Sequence, residues 1–361
     1  MGLRMPDIVI KHDTLIDFGR QILRAAGVPE DNAEVVAVSL GASNLRGVDS
    51  HGFQLLPFYI RQIAEGNIDV HAQGHIVSEN AGCLTYDGQF GIGQVIARNS
   101  SDHAIRLAKT HGTAVVVARD SNHFGAAAYW AQRISAAGLI GIVMCNASPL
   151  VAPWQGKEKR FGTNPISMAL PGPDRWLLDM ATTTVAMGRI FKASLSGEPT
   201  IPTGWAIDRN GVPTTDTSAA IEGWPMPLGG YKGYGLAMMV EILSAVLSGG
   251  AMSLEVGGIY FKERRMRTSQ FFLALDVTRF MPLDEFADRV RRLVEMMKSS
   301  APATGYDEVL VAGEPEWRNA EKRRRSGIPL SEGVWKTLTD TAESLGVRTP
   351  DVRTPTTDTI V

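Results

Sequence analysis

Two histidines stand in short polar turns: His51 within 46-RGVDSHG-52 and His123 within 121-SNHFG-125. An imidazole exchanges a proton near neutral pH, whereas a histidine kept only for packing sits in an apolar periodic stretch. Neither of these does. A glycine follows each within two residues, where backbone or ligand can approach closely because no Cβ intervenes. These are the residues that read as chemistry rather than scaffold.

A second feature is the glycine-rich turn 227-PLGGYKGYGL-236, in which Tyr231 and Lys232 open an apolar helix. Glycine amides, a helix N-terminus and a lysine together suit a phosphate, although a tight turn with an exposed lysine fits the same residues equally well. The turn is not G-x-x-x-x-G-K-[ST], and no G-x-G-x-x-G follows a strand, which excludes a P-loop NTPase and the standard Rossmann fingerprint. A third candidate is the polar turn 161-FGTNP-165, ahead of the expected strand ISMAL; its residues are short and its amides available. Asp179 ends the apolar run WLLD ahead of 180-MATTT-184. A carboxylate there can orient an imidazole or bind hydroxyls, but capping the next helix is the commoner role.

The elements that must position these groups follow from periodicity. Residues 14–26 put Leu15, Phe18, Ile22 and Leu23 on one helical face, and Pro29, Glu30 and Asp31 open a second helix to about Ser43. Helices over 94–110 and 125–137 flank the strand 113-TAVVVAR-119, so His123 follows a strand and precedes a helix. Further strands are expected at 139–145, 176–181 and 271–276, and helices near 282–298 and 331–345. The stretch 234-YGLAMMVEILSAVL-247 reads as a buried helix, too short to span a membrane. Alternating helices and strands give an α/β class.

Composition removes several functions. The 36 basic and 38 acidic residues nearly cancel, which disfavours nucleic acid or a membrane surface as partner. The basic clusters 262-KERRMR-267 and 322-KRRR-325 read as solvated faces. Two cysteines are too few for a disulfide framework or a four-cysteine zinc site and fit a reducing cytoplasm; the first residues lack the apolar core of a secretory signal. No H-E-x-x-H, paired cysteine, acidic calcium loop or G-x-S-x-G occurs, so no metal and no serine nucleophile is expected. His12, His71, His75, His103 and His111 are expected at the surface. By themselves these residues indicate proton transfer beside an anion-binding loop. That leaves open a non-redox lyase or isomerase of a phosphorylated substrate.

In order, RGVDSHG, DGQFGIGQ, SNHFGAAAYWA, APWQGKEKRFGTNPI, LDMATT and PLGGYKGYGLAMMVE resemble the second type of malate/L-lactate dehydrogenase, from about residue 5 to 347. That family is distinct from the Rossmann-fold lactate and malate dehydrogenases. It includes ureidoglycolate dehydrogenases, diketogulonate reductases and cyclic imine reductases. The resemblance implies a non-Rossmann nucleotide-binding sheet domain and a helical domain built from both chain ends. It also implies an NAD- or NADP-dependent oxidoreductase interconverting a 2-keto and a 2-hydroxy acid, or reducing a cyclic imine, as a homodimer. The implied parts are 1–75 with 282–347 (helical, dimer-forming), 76–120 with 236–281 (substrate and sheet) and 121–235 (nucleotide-binding); the stretch 348–361, repeating threonine, proline and aspartate with little to bury, reads as a flexible tail.

By the same resemblance His51 is the proton donor to the developing alkoxide, His123 sits at the substrate and nicotinamide end, and Asp179 lies by the cofactor and orients a histidine. Arg46, Ser50 and Tyr59 fall to the substrate. Gly125, Gly162, Asn164, Met180, Ala181, Thr182, Tyr231, Lys232, Gly313 and Glu314 fall to the cofactor. One position departs: the family pattern H-G-x-x-R, whose arginine engages the substrate carboxylate, reads 51-HGFQL-55 here. An isobutyl group cannot replace a bidentate guanidinium, so substrate identity turns on what stands in for it; Gln54, Arg46 and a neighbouring subunit are the candidates. A metabolite sensor that binds cofactor without turnover is a further reading of that change.

Overall fold

The computed structural model describes residues 8–173, 176–260 and 264–352. In chain order, β1 (Ile8–Ile10) leads to α1 (His12–Ala25), α2 (Glu30–Leu45) and α3 (Leu56–Ala64), with single 3-10 turns at Asp49–His51 and Phe53–Leu55. Then come β2 (His75–Asn80), β3 (Cys83–Asp87), α4 (Gly93–His111), β4 (Thr113–Ser121), α5 (Ala127–Ala136), β5 (Leu139–Cys145), β6 (Ile166–Ala169) and β7 (Leu177–Met180). A small lobe follows, made of α6 (Met187–Leu195), β8 (Ala206–Ile207), β9 (Pro213–Thr214), α7 (Thr217–Glu222) and β10 (Trp224–Pro225). The rest is α8 (Tyr231–Glu241), β11 (Thr268–Asp276), α9 (Leu283–Lys298), α10 (Glu314–Ser326), β12 (Ile328–Leu330) and α11 (Glu332–Ser344).

Seven strands form one sheet in the order β2-β3-β4-β11-β5-β6-β7, and only β3 and β4 are parallel. The class is α/β, as the alternation predicts, but the sheet is mixed and not doubly wound. Its middle strand, β11, arrives from late in the chain and pairs with β4 on one side and β5 on the other. Strands from 76–120 and from 121–235 thus share a single sheet. Side chains alternate across it: Phe272, Val116 and Val143 pack with Ile96, Leu107, Trp130 and Ile134 under α4 and α5, while Phe271, Val117 and Met144 meet Val240 of α8.

The helical core joins both chain ends, as expected. Leu15, Phe18, Ile22, Leu23, Leu40, Phe53 and Leu56 pack with Ile328, Leu330, Trp335 and Leu338. There β1 also pairs antiparallel with β12, Ile8 facing Leu330. The small lobe has a core of its own around Ile190, Ile201 and Ala220.

One reading changes. The helix over 234–247 exists but is not buried: Met238, Met239, Ile242, Val246 and Leu247 are 38–56% exposed, and its last turn is a π-helix over Ile242–Val246. Only the side carrying Ala237 and Val240 packs inward, because a helix lying on a sheet has one inner stripe. Of the tail, residues 353–361 lie outside the described residues, as do Lys262 and Glu263 of the 262–267 cluster. No helix among the described residues is long and apolar enough to cross a membrane.

Candidate active site

The two histidine turns, seventy-odd residues apart in sequence, meet face to face. The rings of His51 and His123 stack with centroids 5.6 Å apart and planes 24° from parallel. Local bonds hold each. Ser50 Oγ is 3.0 Å from His51 Nδ1. Nδ1 of His123 accepts the Gly125 N–H at 3.2 Å and is met by the Tyr59 hydroxyl at 2.6 Å. Since an amide N–H can only donate, Nδ1 of His123 is an acceptor, and the proton of the neutral ring belongs on Nε2. For both rings the remaining nitrogen, Nε2, is the one left for a ligand.

The turn bearing His51 is clamped from two directions. Arg323 of α10 donates to both Asp49 carboxylate oxygens at 2.7 and 2.9 Å, and also to the Asn44 carbonyl. Asn44 in turn donates to Asp49 at 2.6 Å and accepts the Phe53 N–H at 2.8 Å. A Cβ on Gly52 would sit 2.2 Å from the Asn44 side chain, which explains glycine after this histidine. Arg323 is thus no solvated charge; within the 322–325 cluster the fold uses it to pin the site turn.

Across from it, Asn122 donates to the Phe90 and Gly91 carbonyls at 3.0 and 2.9 Å and fixes the approach to His123. A Cβ on Gly93 would lie 2.2 Å from the His123 carbonyl oxygen, so α4 can begin against this turn only with glycine there. Gly125, at φ 78°, turns the chain into α5. Both imidazoles are held below the usual histidine range by burial, and His123, with the neighbouring His51 adding to the effect, falls to about 3. The buried Tyr59 hydroxyl, 4% exposed, is pushed upward and keeps its proton.

Asp179 and Arg46 form a second group. Burial raises the Asp179 carboxyl to about 6, Arg46 opposing and Glu316 adding to the rise; the Ala128 N–H, in the first turn of α5, also lies against it. Arg46, 6% exposed, is 4.0 Å from Asp179, and its guanidinium lies 6.0 Å from the Trp317 ring centre. The carboxylate therefore sits at the first turn of α5, by Ala128 and five residues beyond His123, with Arg46 and Glu316 rather than a histidine as its charged neighbours. Asp179 does not cap the helix that follows it: α6 begins only at Met187, after Ala186, and no side chain caps it.

The end of β7 carries the chain to the lysine turn. Thr182, 1% exposed, gives its N–H and its hydroxyl to the Thr163 carbonyl at 2.9 Å each, and its own carbonyl accepts the Leu228 N–H at 2.9 Å. Met180 and Ala181 lie half-buried between Asp179 and Thr182. Tyr231 is 63% exposed, and Lys232 is exposed with no carboxylate partner among the described residues. Gly162 packs where a Cβ would be 2.5 Å from Ala147.

Asn164 is fully buried at φ 35° and is spent on structure: it donates to Glu241 at 2.8 Å and to the Ala237 carbonyl at 3.0 Å, and accepts the Ala147 N–H at 3.1 Å. Gly313 touches Leu177 of β7, but Glu314 is engaged by Lys298 at 2.7 Å and Arg318 at 2.5 Å. Leu55 is 3% exposed and belongs to the helical core.

Sequence reasoning overlooked Asn44, Asp49, Gln94, Glu316, Trp317 and Arg323. Asp49, Gln94 and Arg323 stood inside motifs given above, but the role of each, like that of the others, comes from what packs on it. Among the described residues no group of three His, Cys, Asp or Glu could hold a metal ion.

The family model described as malate/L-lactate dehydrogenase matches residues 10–339. The chain belongs to that family. It is 39% identical to malate dehydrogenase of Pyrococcus horikoshii over 94% of this chain and 96% of that one. It is 38% identical to L-sulfolactate dehydrogenase of Methanocaldococcus jannaschii over 91% of this chain and 95% of the relative. The solved structure of a sulfolactate dehydrogenase from Methanocaldococcus jannaschii superposes with a TM-score of 0.90 at 37% identity, covering 94% of this chain and 98% of that one. The chain is accordingly an oxidoreductase of the hydroxy acid dehydrogenase family, acting on a CH–OH group.

Proposed function

We propose that this enzyme interconverts a 2-hydroxy acid and a 2-keto acid with NAD or NADP, His51 moving the proton. The observation that carries the reading is the stacked pair of neutral imidazoles whose Nδ1 atoms are both occupied by the protein. In the oxidation direction, Nε2 of His51 takes the proton from the substrate hydroxyl while Ser50 Oγ accepts from its Nδ1–H; reduction returns that proton to the developing alkoxide. His123 stays neutral and donates Nε2–H to a substrate oxygen, which orients the carbon between the two rings.

A dinucleotide fits the other end of the site. The glycine amides of residues 229–230, the N-terminus of α8 and the uncommitted Lys232 suit its phosphates, with Met180, Ala181, Thr182 and Tyr231 beside them. Bound there, the nicotinamide supplies the hydride acceptor or donor. Asp179 and Arg46, at the start of α5, set the charge along its path. The relatives named for malate and sulfolactate favour a substrate with a second anionic group. Leu55 does not meet that group, since it faces the core. Two unpaired cysteines, one of them buried, fit a reducing cytoplasm.

The exposed stripe of Met238, Ile242 and Val246, at i, i+4, i+8 on α8 and its π-helical turn, supports association with a second copy of the chain. Light scattering should report a dimer, and Ile242→Glu with Val246→Glu should give a monomer; a monomeric parent protein would end that part of the reading.

The activity test follows the reduced-nicotinamide absorbance band with pyruvate, oxaloacetate, sulfopyruvate and a cyclic imino acid, each with NADH and NADPH. Turnover of a keto acid supports the proposal, and turnover of the cyclic imine alone selects imine reduction. No turnover, with calorimetry showing that neither nucleotide binds, overturns it in favour of a non-redox lyase or isomerase. Nucleotide binding without turnover of any substrate would instead favour a metabolite sensor.

A further inference from the structure

Gln94, the second residue of α4, is 1% exposed, yet among the described residues neither its side-chain nitrogen nor its oxygen has a partner in full hydrogen-bond geometry; its nearest polar neighbour is the Tyr59 hydroxyl. A buried carboxamide left unpaired is costly and uncommon. Its position is not arbitrary. Gln94 lies against the Tyr59 hydroxyl, and with Leu23, Ile92, Tyr59 and His123 it lines a small void beside the His123 ring. Its Nε2 lies 4.0 Å from the point where a Cβ on Gly125 would be, on the turn that carries His123.

The chemistry of these groups allows one direction only. The Tyr59 hydroxyl is 2.6 Å from His123 Nδ1, which already accepts the Gly125 N–H at 3.2 Å. Nδ1 therefore has no proton to give, and Tyr59 must donate to it. The phenol oxygen is then free to accept, and of the two ends of the Gln94 amide only the nitrogen can donate to it. An amide turned the other way would draw the Tyr59 proton to itself and leave a phenol-oxygen lone pair facing the Nδ1 lone pair across 2.6 Å, while Nδ1 still accepts the Gly125 N–H.

We propose that Gln94 is a positioning residue that sets the direction of a Gln94–Tyr59–His123 hydrogen-bond chain and so holds the neutral His123 ring with its proton on Nε2. The inference rests on the reading of His123 as a site imidazole, but not on any measured activity. Gln94 touches neither reacting carbon nor oxygen; it acts through Tyr59. It spends no net charge to do so, as a carboxylate in its place would. It also explains why the polar residue there is an amide: a hydroxyl could point either way, and a carboxylate would reverse the chain.

The test is the tautomer itself, read in the ligand-free protein by long-range proton–nitrogen correlation of 15N-histidine-labelled enzyme, alongside steady-state rates. The parent protein should show a bare Nδ1 and a protonated Nε2 at His123. Gln94→Glu should move the His123 proton to Nδ1 and lower kcat at least tenfold with little change in cofactor KM; the nearly isosteric Gln94→Met should give mixed tautomers and an intermediate loss. Should Gln94→Glu fail to fold, Tyr59→Phe breaks the same chain at its middle and should also mix the tautomers. A protonated Nδ1 in the parent protein, or an unaltered His123 pattern in both Gln94→Met and Tyr59→Phe, overturns the proposal. If the parent pattern is as described but no keto acid is reduced, the dehydrogenase reading fails and this one stands.

Discussion

Around His51 and His123 the polar groups are committed to one another, with the Gln94 amide the exception; around Lys232 they are not. Asp49, Asn44, Arg323, Ser50, Tyr59 and the Gly125 amide all hold or brace the two rings. On α8, by contrast, Lys232 has no acidic partner among the described residues, Tyr231 is 63% exposed and an apolar stripe faces outward. Proton transfer needs its groups in place before substrate arrives, since reorganisation would add to the barrier. A surface meant for a ligand or a second chain must instead keep donors and apolar area unspent.

The contrast can be broken at its strongest point. His51→Gln keeps the turn and removes the proposed base; kcat should fall roughly 100- to 10,000-fold, with the melting temperature unchanged. A near-parental rate would move the proton chemistry elsewhere. Next is Leu55→Arg, which restores the family's usual side chain but buries an unpaired charge in the helical core, at a cost of about 3–5 kcal/mol. Denaturant unfolding should show that loss with no gain in activity; a stable, faster enzyme would mean that position 55 faces the substrate.

Arg323→Met should sharpen the comparison, because it unpins the His51 turn from a distance. It is expected to cost about 1–2 kcal/mol, the Asp49 side chain being partly open to water, and to lower kcat more than it raises any KM. Lys232→Ala should do the reverse, raising the cofactor KM about tenfold and leaving stability and kcat near parental. The smallest expected effect is one of pH. His51 is held below 6.5, so its neutral, proton-accepting form persists as pH falls; the acid limb of kcat/KM for hydroxy acid oxidation should lie below 6.5, while reduction should quicken as pH drops toward that limb. An acid limb above 6.5 would contradict the burial of the ring.

Much of the local structure could be read directly. The faces of α1, the strand before His123 and the helix after it are set by nearest-neighbour periodicity, and the structure has them within a few residues. The two histidine turns were legible for the same reason, being polar interruptions between periodic elements. What escaped was long-range: β11 entering between β4 and β5, β1 pairing with β12, and Arg323 reaching Asp49 across more than 270 residues. Composition in one window cannot say which distant charge will be neutralised. Asn164 misleads in the opposite sense: a polar residue in a glycine turn resembles a ligand contact, yet its amide is consumed by Glu241 and two backbone groups.

Alone, the order of residues decided which segments become helix or strand, that two imidazoles would sit on turns, and that the chain carries no Rossmann fingerprint, because each depends on side chains within one or two turns of each other. Tertiary structure decided that those imidazoles stack, that burial keeps both neutral, that Leu55 points to the core and Gln94 to Tyr59. Those outcomes depend on desolvation and on contacts between distant segments, and both come into being only when the chain is packed.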